Sequence, residues 1–189
     1  MVQIKALFCG KHLYRASMFA VTLTMAAAFT LVCANASALN KGDTVNQVKV
    51  KDSKDKDAEI PDLGSKVMAV FYSDPDVKDM NEPFREMLKA ADLDRAKFRG
   101  LGVVNMKDTW LANSIIRSVV RGKEKKFDSL ILTDPDHLLK NAWNLGDCNS
   151  KDVVIILDKD RKVHYIKPGK MSEEEMKKGL ELIKELLAK

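Results

Sequence analysis

Residues 67–72 read VMAVFY, six apolar residues in succession. A strand that shows water one face alternates polar and apolar residues. An unbroken run of this length fits a strand buried on both faces, as in a sheet covered by helices. VVIIL at 153–157 is a second such run. FRGLGVVNM at 98–106 and SLILT at 129–133 read as further strands. Helical spacing lies between them. Phe84, Met87, Leu88 and Ala91 fall at i, i+3, i+4 and i+7, with Pro83 opening or kinking that helix. Trp110, Leu111, Ile115, Ile116, Val119 and Val120 mark a second helix that should end near Gly122. HLLKNAW at 137–143 predicts a helical turn or two.

The two ends complete the pattern. VNQVKV at 45–50 alternates like an exposed strand, and KDSKDKD at 51–57 reads as a solvated turn. KVHYI at 162–166 follows the turn DKDR, so 153–166 predicts a β-hairpin. Ser172 and Glu175 have capping-box spacing, ahead of a last helix with Met176, Leu180, Ile183 and Leu187 on one stripe. Helices alternating with buried strands imply parallel pairing, and the hairpin adds an antiparallel edge. The expected fold class is α/β: a mixed central sheet with helices on both faces and a C-terminal β-hairpin plus helix.

The first 38 residues belong to a different kind of segment. Lys5, Lys11 and Arg15 precede the apolar stretch MFAVTLTMAAAFTLV, and Ala36 and Ala38 flank Ser37 as an A-x-A site. That combination predicts a cleaved secretory signal peptide at 1–38, a domain at 39–189, contact with the secretion machinery and a periplasmic address. The apolar stretch is short for a spanning helix of about 20 residues, so no stable membrane anchor is expected. Removing the leader takes the basic residues from 32 to 29 against 27 acidic ones, and the net charge from +5 to +2. A nucleic-acid partner loses its electrostatic basis at that charge. Of Cys9, Cys33 and Cys148, only Cys148 remains past the leader, so the domain has no internal disulfide.

The element order resembles the thioredoxin-like fold, in the branch of exported thiol–disulfide proteins and peroxiredoxins. VMAVFYSDPDVKDMNEPF resembles that branch's strand, active-site loop and helix. VNMKD, FDSLILTD, NAWNL and VVIILDKDRKVHYIKPGKMSEEEM are similar to the small YtfJ family of exported bacterial proteins within the same superfamily. The resemblance places the two redox cysteines of the fold at Asp76 and Asp79, giving Asp-Val-Lys-Asp in place of C-x-x-C. Disulfide exchange needs an attacking thiolate and a resolving thiol, and carboxylates supply neither. The fold's cis-proline position falls near Asp152, where a trans peptide is expected.

The resemblance thus implies a non-redox protein that binds or scaffolds a periplasmic protein or peptide at the edge formed by 73–79 and 149–152. The candidate ligand-binding residues are Asp76, Asp79, Asp152, Lys78 and Tyr72, and no catalytic residue is assigned. Asp74 and Pro75 suit a helix N-cap and first helical position. As an alternative, Asp76, Asp79 and Asp152 within reach of one another would suit a hard divalent cation. The calcium-loop pattern fails, however, with Asp79 at the glycine position and Arg85 at the glutamate position, so no metal is assigned. Cys148, read as a small, partly buried loop residue, is the one candidate for a reactive thiol. His137 and His164 have no acid or cysteine at a catalytic spacing. Gly100 and Gly102 make only G-x-G, so no cofactor is assigned. Tyr72, Trp110 and Trp143 could line a peptide groove.

Overall fold

The computed structural model describes residues 38–189 apart from residue 128. The expected leader, except for Ala38, lies outside the described residues. In chain order the elements are β1 (Lys49–Lys51), β2 (Asp57–Glu59), β3 (Val67–Ser73), a 3-10 turn (Pro75–Val77), α1 (Glu82–Ala90), β4 (Phe98–Asn105), α2 (Asn113–Phe127), β5 (Ile131–Asp134), α3 (Leu138–Ala142), β6 (Asp152–Leu157), β7 (Val163–Pro168) and α4 (Glu173–Leu187). They build one seven-stranded sheet in the order β2-β1-β5-β4-β3-β6-β7.

β3 sits inside the sheet, between β4 and β6, because it has no polar face to show: all seven of its residues are buried. It pairs parallel with β4, Val67 opposite Phe98 through Ser73 opposite Val104. On its other side it runs antiparallel to β6, Met68 opposite Leu157 and Ser73 opposite Asp152. β4 and β5 are parallel, whereas β6 and β7, and β1 with its two neighbours, are antiparallel. The sheet is mixed, as the sequence predicts.

The parity of β3 divides the core in two. Met68, Val70 and Tyr72 join Val153, Ile155 and Leu157 on one face, under Leu139, Trp143 and Cys148. Val67, Ala69 and Phe71 join Val154 and Ile156 on the other, against Phe84 and Leu88 of α1 and Ile183 and Leu186 of α4. Gly179 lets α4 approach closely, since a Cβ there would lie 3.0 Å from the Phe84 ring. α2 seats Ile116 and Val120 on Met106, and Leu111, just before the helix, packs on the same cluster. α4 opens with the expected capping box of Ser172 and Glu175, and proline stands in the first turn of α1.

Two local expectations are corrected and one is extended. The exposed strand at 45–50 is reduced to Lys49–Lys51, and Val45 and Val50 are core residues. The charged stretch after it is a turn, as expected, but it closes a hairpin with β2, a strand that the sequence did not suggest. The Asp52 carboxylate accepts from the backbone N–H of Lys54 and Lys56 at 2.8 and 2.9 Å, which folds the loop back tightly. α2 does not stop near Gly122. A glycine inside a helix costs only about 1 kcal/mol, and Glu124 anchors the far turn by accepting from Ser53 Oγ at 2.6 Å and the Ile131 N–H at 3.0 Å.

Candidate functional site

The end of β3 delivers Ser73 to the α1 face of the sheet, and Asp152 at the start of β6 lies directly opposite. Both are buried. Ser73 Oγ donates to Asp152 at 2.7 Å, and Arg85 of α1 donates to Asp152 at 2.9 Å and to Ser73 Oγ at 3.0 Å. The Arg85 guanidinium also lies over the Phe71 ring, 4.3 Å from its centroid, a favourable cation–π position. An ionised carboxylate inside a protein requires this sort of closure, because desolvation without a partner is costly.

The next residue, Asp74, ties the two site loops together. Its carboxylate accepts from the Asp76 N–H at 2.9 Å, capping the 3-10 turn, and from the Ser150 N–H at 2.7 Å across the gap to the 149–152 loop. Its own N–H donates to the Lys151 carbonyl at 2.9 Å. Asn81, before α1, adds a third tie: its amide donates to the Gly169 carbonyl at 3.1 Å and its oxygen accepts from the Met171 N–H at 2.9 Å. The edge is therefore a stiff junction of three loops.

Asp76, Lys78 and Asp79 stand on the outside of this junction. All three are exposed, and the 76–80 stretch lines a shallow depression. Asp76 accepts from Thr109 Oγ1 at 3.4 Å. Asp79 pairs with Lys78 at 2.8 Å and Lys123 at 3.6 Å. The Lys78 hydrogen bond, reinforced by the charges of Lys78 and Lys123, holds the Asp79 carboxyl below its ordinary pKa against a smaller opposing effect of burial. Lys151 pairs instead with Asp147 at 2.7 Å.

Several sequence expectations change here. Asp152 does not join Asp76 and Asp79, because its carboxylate turns inward to Ser73 and Arg85. Among the described residues no three His, Cys, Asp or Glu side chains converge as a metal site, so the alternative of a three-aspartate cation site is not what the fold builds. Tyr72 is on the opposite face of β3 from Ser73, fully buried, and donates to Asp134 at 3.0 Å. Burial and the Asp134 charge raise its pKa. Trp143 is in the core with its indole N–H donated to the Asn46 carbonyl at 2.8 Å, while Trp110 is 86% exposed outside α2. No groove joins these three aromatics.

Cys148 is fully buried rather than partly so, with Sγ 3.7 Å from the Gly146 carbonyl. Burial pushes its thiol up to about 11, the opposite of what a reactive thiolate needs. The histidines have acid partners that spacing did not reveal: His164 pairs with Asp158 at 2.7 Å, and His137 lies 3.1 Å from Asp108. The residues missed at the site are Asn81 and Arg85, and Ser73, already within the expected edge, is the partner of Asp152. Arg85 had a signal, since a cation in the first turns of α1 is well placed to meet an acid at the neighbouring strand end.

Known proteins place this geometry in context. An exposed lipoprotein thioredoxin of Streptococcus pneumoniae superposes with a TM-score of 0.55 at 18% identity, covering 75% of this chain and all of that one. The likeness shows a thioredoxin-like fold. An uncharacterized protein of Haemophilus influenzae is 28% identical over 109 residues, 56% of this chain and 58% of its own length. The protein YtfJ of Escherichia coli is 28% identical over 112 residues, 58% of this chain and 60% of its own. The matches thus span less than two thirds of these relatives. The family described as "Bacterial protein of unknown function (YtfJ_HI0045)" matches residues 36–186. On that match the chain belongs to the YtfJ family, with its sheet built on the thioredoxin-like plan.

Proposed function

We propose that this chain is an exported, periplasmic protein that binds a protein or peptide at the edge formed by 73–79 and 149–152, without thiol redox chemistry. The observation that carries the reading is the chemistry at that edge. Where the fold's redox members place a thiol pair, this chain presents the exposed carboxylates Asp76 and Asp79 on a junction braced by Asp74, Asn81 and the Ser73–Asp152–Arg85 group. The one cysteine past the leader is sealed in the opposite face of the core. Rigid backbone with exposed polar side chains suits recognition, because little ordering entropy is lost on contact.

Export rests on the basic lead, the apolar stretch and the A-x-A site at 36–38. Cell fractionation with N-terminal sequencing checks it: a periplasmic chain starting at Leu39 is expected, and a cytoplasmic chain keeping residues 1–38 removes the address. The binding reading is tested by cross-linking in intact cells, comparing wild type with Asp76→Ala and Asp79→Ala. Loss of a specific adduct in the variants is expected, and an adduct pattern indifferent to both substitutions removes the edge from the account. Insulin turnover with dithiothreitol should not exceed the reductant alone. Turnover that disappears in Cys148→Ser would establish a thiol enzyme instead.

A further inference from the structure

α2 has two apolar stripes where a helix lying on a sheet needs one. Ile116 and Val120 face inward onto Met106. Ile115 and Val119, one turn apart on the outward side, are 54% and 50% exposed. Trp110, two residues before the Ala112 carbonyl that starts the helix, is more exposed than any other large apolar side chain among the described residues. Single exposed apolar residues are ordinary, but a tryptophan beside a helical apolar pair is a patch, and such patches mark interaction surfaces.

The charge around the patch is equally uneven. Residues 107–127 contain six basic residues (Lys107, Arg117, Arg121, Lys123, Lys125, Lys126) and two acidic ones (Asp108, Glu124), a net of +4. The rest of 39–189 carries 23 basic and 25 acidic residues, a net of −2. The segment is thus basic against a remainder that is slightly acidic overall, although 161–170 carries the same +4 locally. Both of its acids are turned to internal partners, Asp108 to Asn105 and His137, and Glu124 to Ser53 and the Ile131 N–H. Arg117 is engaged by Asp55 and Lys123 by Asp79. Arg121 donates to the Ser53 carbonyl at 2.8 Å, and Lys107 and Lys125 are exposed on the same segment.

We propose that the face formed by Trp110, Ile115 and Val119 docks on an anionic phospholipid surface, with Trp110 in the headgroup layer and Lys107 and Lys125 available to the lipid phosphates. Tryptophan favours that boundary, and basic residues beside an apolar stripe are the pattern of surface-seated helices. No helix of the described residues is long and apolar enough to cross a membrane, so the association is one of surface seating. The proposal does not rest on the binding reading at 73–79, although Asp76 and Asp79 touch this segment through Thr109 and Lys123.

The test uses the two tryptophans. Trp143 is buried with its N–H already bonded, and residues 1–38 contain no tryptophan. A blue shift of fluorescence on adding lipid therefore reads Trp110. Vesicles of phosphatidylcholine with phosphatidylglycerol should give the shift and co-sediment the protein. Vesicles of phosphatidylcholine alone should bind at least about tenfold more weakly, and molar salt should erase the difference. The Ile115→Ser/Val119→Ser double variant should lose the shift while keeping the wild-type unfolding midpoint, and Asp76→Ala/Asp79→Ala should retain it. Absence of a shift with anionic vesicles, equal binding to neutral ones, or a shift unaltered in the double variant overturns the proposal. So does a shift produced without lipid by raising protein concentration, with sedimentation showing a dimer, or by polyglutamate where vesicles give none.

Discussion

Two of the completely buried carboxylates lie at the ends of strands β5 and β6, which are separated in the sheet by β4 and β3, and they are closed differently. Asp134 ends β5 and accepts from neutral donors only: Tyr72 Oη at 3.0 Å and the backbone N–H of Leu138, Leu139 and Lys140 at 2.7, 3.0 and 3.3 Å. Asp152 begins β6 and is closed by Ser73 and by Arg85, whose side chain is 24% exposed. Asp134 is thus sealed inside the fold, fixing where α3 starts and which way Tyr72 points. Asp152 has one partner in contact with water, on the side where the 74–79 loop lies. The contrast separates a part of the molecule sealed within the sheet from a part whose closing residue meets water.

The sharpest attack on that contrast is Asp134→Ala. It strands a phenol and up to three backbone donors in the core, and unsatisfied buried groups cost about 1–3 kcal/mol each. With partial relaxation, a loss of about 3–5 kcal/mol is expected in urea unfolding. A loss no larger than that of a surface substitution would mean that the Asp134 network does not organise α3.

Arg85→Ala should cost less, about 2–3 kcal/mol, because water can reach the place of the lost guanidinium and partly solvate Asp152. The combination with Asp152→Asn tests whether the two act as a unit. The double variant should be less destabilised than the sum of the singles by about 1 kcal/mol or more. Simple additivity in that cycle would deny the pair its role.

Cys148→Ser comes next. The new hydroxyl enters a site whose acceptors are carbonyls 3.7–4.0 Å from sulfur, too far for a hydroxyl without movement. A cost of about 1–2 kcal/mol is expected. In the wild-type protein past the leader, Ellman's reagent should find no thiol in the native state and one after denaturation. Rapid native labelling would show that the loop opens.

How far the sequence discloses this arrangement depends on the distance over which each contact reaches. The uninterrupted runs at 67–72 and 153–157 identify two interior strands because burial on both faces is written locally, in every residue. The capping box at Ser172 is equally local. The β1–β2 hairpin escapes because Asp57, Ala58 and Glu59 lack strand character and owe their place to the turn made by Asp52. Tyr72 was grouped with Asp76 by proximity along the chain, yet the parity of β3 sends Tyr72 and Ser73 to opposite faces. That signal was present once the strand was recognised. The pairings Tyr72–Asp134 and Ser73–Asp152 span 62 and 79 residues, and no local pattern specifies such partners.

The smallest expected effect concerns acid, on the α3 side of the molecule. Burial alone would push the Asp108 carboxyl up. The Asn105 hydrogen bond at 2.6 Å, with the charges of His137 and Lys140, overcomes that and holds it below its ordinary value of 3.8. A carboxyl lowered in the folded state contributes stability that is complete above the unfolded value, and that contribution is lost as pH falls through the folded one. The stability gap between wild type and Asp108→Asn should therefore be widest near neutrality and shrink as pH drops from about 5 toward about 3. Asp158, lowered in the same direction by His164 and two backbone N–H groups against the opposing effect of burial, is present in both proteins and cancels from the difference. A gap independent of pH would show that Asp108 is not engaged by Asn105, His137 and Lys140 in solution, and the order of the α3 side would then rest on Asp134 alone.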